Sequence, residues 1–455
     1  YLLSALIRRD QSSRFSKVDN FNVGYFHAVS LGWNLTEENF LKDNDFLNSL
    51  KLRVSYGELG SDRVSGGNFP YVGSLNGEGV YSNSLEVSES DLLVGIAEGQ
   101  LGNPYLKWET TSTGNIGLDV ALLNNKISFN LDVYKKTTDD LLIQPQSSAL
   151  TGVAGIGSSA PAINAGTVEN SGVEFLISYR DQFSDDFKFN ASFNLTSINN
   201  VVTYVGNLAG FEQGGGFGVG TGIVTSRMEA GHSLGYFYGY KTNGIYQNQG
   251  EIDALDANAS EGTYHLGAGP GDLKFVDTNG DGMISDDDKT YIGDPIADIT
   301  MGFNVGFSYK NLDFSANAFA SIGNDMVRDY ERKDLFANRG DYMLDRWQGT
   351  GTSNTVPRAL SGASINTDNF SDFFVEDASF VRLQNIQVGY TIQQDSLKGS
   401  GINKIRVYLT GNNLFTITDY KGYDPSASSG SPIGAGVDKG FYPVASSYLL
   451  GVNLN

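Results

Sequence analysis

Met301-Gly302-Phe303-Asn304-Val305-Gly306-Phe307-Ser308-Tyr309 carries a large apolar side chain at every odd position and a small or polar residue at every even one. After Lys310–Asn311 the alternation resumes through 312–322. Successive side chains of a β-strand point to opposite faces, so a period of two predicts an antiparallel hairpin with one apolar and one polar face. Phe303, Phe307 and Phe314 share the apolar face, and a one-residue slip would turn all three to the other side.

The same pattern recurs along the chain. Trp108, Thr110, Ile116, Leu118 and Val120 stand against Glu109, Thr111, Asn115 and Asp119. Phe187, Phe189, Ala191, Phe193 and Leu195 stand against Lys188, Asn190, Ser192 and Asn194. Twelve strands are predicted: 1–8, 26–35, 50–59, 108–122, 127–137, 171–180, 187–198, 301–310, 312–322, 380–392, 404–412 and 446–454. Five short turns (36–49, 124–125, 181–186, 310–311 and 393–403) alternate with six long polar connections (9–25, 60–107, 138–170, 199–300, 323–379 and 413–445). Strands of roughly ten residues, short turns on one side and long loops on the other, are the layout of an outer-membrane β-barrel. An aromatic run, Tyr236–Tyr246, splits the largest connection; parity requires it to stay outside the membrane. Trp33, Tyr179, Tyr309 and Tyr390 near the short turns, with Trp108 and Tyr448 near the long loops, suit the two headgroup levels.

Composition agrees. The 455 residues include 56 glycines, 24 tyrosines and 27 phenylalanines, and no window holds 18 consecutive apolar residues, which excludes helical membrane spans. Aromatic and glycine richness without helical periodicity means strands and turns. A net charge of −21 argues against nucleic acid as a partner, because phosphate recognition needs a concentrated basic face. The absence of cysteine removes disulfides and thiolate chemistry. The chain opens at Tyr1 inside a strand-like run, so it is expected to be part of something longer. Unpaired strand edges are intolerable in hydrocarbon, and the missing strands must come from chain upstream. At the other end Tyr448, Leu450, Val452 and Leu454 share one face, so a residue after Asn455 would again face outward.

One motif has sharp spacing. Asp277-Thr278-Asn279-Gly280-Asp281-Gly282-Met283-Ile284-Ser285-Asp286-Asp287-Asp288 matches a calcium loop at positions 1, 3, 5 and 6. Asp277, Asn279 and Asp281 offer side-chain oxygens, Met283 its carbonyl, Ser285 a water contact and Asp288 the closing carboxylate. An EF-hand has Glu in that last place, and no helical pattern flanks the loop. The expected role is to stiffen the long connection; the alternative is an acidic turn that binds nothing.

Catalysis is not expected. His27, His232 and His265 lack metal-ligand spacing, and there is no nucleophile elbow or zinc motif. The glycine run 214–222 has no correctly spaced phosphate fingerprint. Tyr236, Phe237, Tyr238, Tyr240 and Tyr246 are weak candidates for stacking on substrate, with packing of the loop against itself as the equal alternative. Arg53, Lys188, Arg382 and Arg406 fall on the polar face and are expected to pair with carboxylates there.

Several segments together resemble the SusC/RagA class of TonB-dependent outer-membrane transporters of Bacteroidetes. They include YLLSALIRRDQSSRF from Tyr1, KLRVSYGELGS from Lys51, WETT from Trp108, VENSGVEF from Val168, DLKFVDTNGDGMISDDDKTYIGDP from Asp272, FVRLQNIQVGYT from Phe380, VYLTGNNLFTITDYKGYDP from Val407 and YPVASSYLLGVNLN from Tyr442. They run in family order over nearly the whole chain. Gln11, where the family usually has Gly, and His27, where it often has Pro, depart from the pattern.

The resemblance implies an all-β fold in which these twelve strands are the C-terminal part of a 22-stranded transmembrane antiparallel barrel. The plug and TonB-box segment are not in this sequence. It further implies TonB-dependent uptake of a nutrient, oligosaccharide or peptide, with a SusD-like lipoprotein on the cell surface. The alternative from another class is a non-transporting binding or adhesion barrel, or a secreted β-rich calcium-binding lectin.

Overall fold

The computed structural model describes residues 1–42, 44, 46–64, 68–82, 92–99, 101–145, 160–217, 223–331, 338–360, 364–393, 402–428 and 432–454. Residue Asn455, the part 218–222 of the glycine run and most of the turn 393–403 lie outside them. Twelve strands form one sheet whose hydrogen-bonded order is the order of the sequence. They are β1 (Leu2–Gln11), β2 (Val23–Asn34), β3 (Leu47–Ser61), β4 (Glu109–Leu122), β5 (Ile127–Asp139), β6 (Gly166–Gln182), β7 (Phe187–Val205), β8 (Ile299–Tyr309), β9 (Leu312–Ile322), β10 (Phe380–Gln393), β11 (Lys404–Thr418) and β12 (Ser447–Leu454). All twelve expected strands are present. Among the described residues no helix is long and apolar enough to cross a membrane.

Two compact units make up the chain: residues 1–175 with 199–212 and 229–232, and residues 176–198 with 213–228 and 233–455. In the first, cross-strand register lines up Leu3, Leu31, Val54, Ile116 and Val133 in one row over five strands. These side chains are largely exposed, as a lipid-facing row must be. One position along, on the opposite face, Gly32, Arg53, Gly117 and Asp132 form the next row. Arg53 grips Asp119 with two nitrogens at 2.8 Å and reaches Asp132 at 3.0 Å.

In the second unit the row Phe189, Phe307, Phe314, Val388, Leu409 and Leu450 crosses six strands. Phe307 and Phe314 stack with centroids 5.1 Å apart, so the hairpin has the register read from its alternation. Lys310 takes φ +54° in the two-residue turn. On the polar face Gly302 sits opposite Asn194, whose Oδ1 would lie 2.3 Å from any added Cβ, so a side chain there would have to displace the Asn194 amide. Arg406 pairs there with Asp313 and donates to Gln387 at 2.8 Å. Thus Arg53 and Arg406 are held by polar-face carboxylates, and Arg382 by Asp424. Lys188 takes no ion pair among the described residues.

Some strands outrun the alternation that announced them. β11 continues to Thr418 past an irregularity where Leu383 pairs with Phe415 but Asn385 with Asn412. Asn413, inside it, has φ +49°, and an extra residue there breaks the period of two. Trp108 differs from expectation as well. It precedes β4, escapes the strand's alternation, and packs 5.4 Å from Phe15 and 5.6 Å from Phe26 instead of joining an outer girdle. Leu106, Leu142 and Ala162 complete that buried cluster in the first unit.

Candidate functional site in the long connections

The long connections of the second unit are folded structures with cores of their own. Asp325–Arg328 pairs antiparallel with Val375–Asp377 and parallel with Val437–Asp438, joining segments from two different connections. Phe217, Phe237, Val327, Phe370 and Val437 bury together over this ladder. A second core gathers Tyr240, Ile245, Leu273 and Phe275, with Trp347 and Phe373 packed against it. Apolar burial of this kind supplies the free energy that orders segments otherwise too polar to fold alone.

The aromatic run lies inside these cores. Tyr236, Phe237, Tyr240 and Tyr246 are buried and Tyr238 is half-buried. Tyr240 stacks on Phe275 with centroids 4.6 Å apart, and its hydroxyl donates to Asp286 at 3.0 Å. Burial, and then Asp286, push that phenol well above its usual range. In this arrangement the run packs connection against connection, and four of its five rings present almost no surface. His265 is buried beside Tyr246; burial pushes it down to about 4, against the opposing charge of Asp272.

The 277–288 loop is tightly closed. Asp277 accepts the amides of Gly280 at 2.6 Å and Gly282 at 2.9 Å. Asn279 accepts from the Asp281 amide at 2.9 Å, and Asp281 from the Met283 amide at 3.0 Å. Asp288 is fully buried and accepts the amides of Thr278 at 2.7 Å and Ser285 at 2.8 Å, while the Ser285 hydroxyl accepts from the Asp287 amide at 3.2 Å. Gly282 has φ +87°, the sharp turn the spacing required. Each carboxylate keeps lone pairs beyond these bonds. Among the described residues no group of three or more acidic, histidine or cysteine side chains is gathered as for a metal. Calcium here therefore belongs with the proposals below.

A cavity of about 350 Å³ opens between Phe217 and described residues from Arg328 to Phe374. Two of its lining residues are fixed by buried Asp272, Arg358 through two bonds at 2.8 and 2.7 Å and Asn366 through one at 2.9 Å. Gly271 makes this approach possible: it has φ +93°, and a Cβ there would lie 2.5 Å from the Trp347 ring. Arg328, buried at the end of its strand, lies 4.2 Å from the Tyr342 ring centre and 5.1 Å from that of Phe373. Its Nη1 is 3.5 Å from Glu376. Stacking against rings suits the weakly hydrated, planar guanidinium. The Tyr342 hydroxyl donates to Glu331, whose other oxygen accepts the Gly340 amide at 2.8 Å. Sequence reading missed this site. Asp272 and Arg358 are 86 residues apart, and no local period announces them as partners.

Comparison with known proteins places these features in a family. Residues 1–319 match the family described as TonB dependent receptor-like, beta-barrel. TonB-dependent receptor P3 of Formosa agariphila is 33% identical over all of this chain and 44% of its own length. TonB-dependent receptor SusC of Bacteroides thetaiotaomicron is 34% identical over all of this chain and 42% of its own. The structure of the RagAB peptide transporter superposes with a TM-score of 0.76 at 25% identity, over 99% of this chain and 45% of that one. The chain thus spans less than half the length of the curated relatives it matches. An ordered twelve-stranded sheet with a lipid-compatible face and a matching family pattern leads to one assignment: the chain belongs to the TonB-dependent receptors, as part of their outer-membrane β-barrel, and is similar to SusC and to the RagAB transporter.

Proposed function

We propose that the protein carries out TonB-dependent uptake of a nutrient across the outer membrane, working with a SusD-like surface lipoprotein. The observation that carries this reading is the set of long connections, which join the strand ends opposite the tight turns and in the second unit fold into cores of their own with a cavity. A barrel that only anchored the chain would have no use for so much ordered loop. The connections 199–300 and 323–379 supply most of those cores and form the docking surface for the lipoprotein. TonB engages a segment upstream of this chain, and the activity is transport, without catalysis. One similar protein is described as a peptide transporter, so peptides stand beside oligosaccharides as cargo. Calcium in the 277–288 loop stiffens its long connection; the oxygen-rich donors at positions 1, 3 and 5 and the glycine turn at 6 support it.

The test has two parts. Affinity purification of the full-length protein from outer membranes should recover a lipoprotein, and deleting 199–300 and 323–379 should release it. Cells lacking the protein should lose periplasmic accumulation of a labelled nutrient that wild-type cells import. Retained association after deletion overturns the docking surface, and unchanged accumulation overturns the uptake reading.

A further inference from the structure

We infer that the cavity bounded by Arg328, Arg339, Tyr342 and Met343 binds the carboxyl-terminal apolar residue of a short peptide. The inference rests on the uptake reading above and specifies its substrate class.

Half of the lining residues are aromatic or aliphatic, with Phe217, Phe374, Met343 and Leu360 among them, and the volume of about 350 Å³ falls in the range of small-molecule sites. Its polar groups are nearly all consumed by one another. Asn366 donates to Asp272 and accepts the Leu273 amide at 2.8 Å. Both oxygens of Glu331 take donors, from Tyr342 and Gly340. Ser364 and Thr367 share a hydroxyl contact of 3.1 Å. Arg358 is committed to Asp272, and Arg328 to Glu376 and its ring stack.

Arg339 differs. It is exposed and lines the cavity, and among the described lining residues it is the one charged side chain without a hydrogen bond or ion pair. A guanidinium in that state offers a fork of donors matched to a carboxylate.

These facts decide between the two cargo classes. A neutral sugar carries several hydroxyls per ring, and most would enter a cavity whose donors and acceptors, Arg339 apart, already have partners. A polar group buried without a partner is unfavourable, whereas an apolar side chain gains by leaving water. The cavity therefore favours an apolar body with one anionic end. The terminal residue of a peptide has that form: its side chain fills the aromatic walls and its carboxylate meets Arg339.

The full-length receptor in detergent is titrated calorimetrically with three probes: N-acetyl-leucyl-phenylalanine, its carboxy-terminal amide, and maltotriose. The acid should bind, and the amide about tenfold more weakly, as expected for loss of a charge-assisted pair. Arg339→Gln should abolish the difference between acid and amide, Arg339→Lys should retain part of it, and Ala359→Trp, which fills the cavity, should remove binding of both. Unchanged thermal unfolding shows that each variant is folded. Equal binding of acid and amide, binding that survives Ala359→Trp, maltotriose binding that Ala359→Trp removes, or no binding of the acid overturns the inference. Periplasmic accumulation is measured in parallel. Intact uptake without acid binding defeats this inference alone, and acid binding without uptake defeats the transport reading alone.

Discussion

Arg382 and Asp424, 42 residues apart in sequence, meet in a buried hydrogen bond of 2.6 Å. Arg382 also donates to Thr416 at 2.8 Å and Ser426 at 3.1 Å, and the second Asp424 oxygen accepts the Val444 amide at 2.9 Å. Burial alone would raise the Asp424 carboxyl, but Ser426, the Val444 amide and Arg382 hold it down to about 2. The pair fastens the last long connection to β10.

Breaking one side of this pair strands the other in a dry place. Asp424→Ala is expected to cost about 3–5 kcal/mol, because an uncompensated buried charge remains. The double variant Arg382→Met with Asp424→Leu should recover most of that loss. Denaturant midpoints of the detergent-solubilised receptor check this; a single variant as stable as wild type would show that the fastening lies elsewhere.

Asp325 supplies a pH dependence. Burial pushes its carboxyl up to about 6 from 3.8; the Asp294 amide opposes this, and the charges of Asp294, Asp377 and Asp298 add to it. The folded protein therefore holds this proton more tightly than the unfolded chain. The associated stability is fully present below pH 3.8 and is lost as pH rises through about 6. Asp325→Asn, which keeps an acceptor for the Asp294 amide, should raise the melting temperature at pH 8 and leave it nearly unchanged at pH 4. An equal shift at both values would refute the assignment.

The hairpin register predicts opposite outcomes for neighbouring residues. Phe303, half-exposed on the apolar row, should face lipid; Phe303→Arg should destabilise by about 2–4 kcal/mol if it lies near mid-membrane. Asn304→Arg, on the polar face, should be tolerated. Reversal of the two effects in folding measurements would place the phenylalanines inside the barrel.

Calcium binding at 277–288 should protect 247–299 from protease. Wild-type protein is expected to gain resistance on calcium titration, and Asp281→Ala to lose that gain. Identical cleavage of both with and without calcium would leave the loop as an acidic turn closed by its own amides.

The sequence by itself determined the twelve strands, their order and their faces. Strand geometry is local: a period of two in Met301–Tyr309 fixes which side chains share a face, and Lys310–Asn311 fixes where the chain turns. It also showed that Arg53, Arg382 and Arg406 stand on the polar face, since the same alternation places them. Only the tertiary structure decided which carboxylates they meet, that Trp108 turns into a buried cluster, and that the aromatic run closes a core. Those outcomes depend on contacts between segments tens of residues apart. Asp272 finds Arg358, and Val327 pairs with Val437, through packing that no local period encodes. The cavity belongs to that second kind, for its walls come from side chains that become neighbours only when the connections fold on one another.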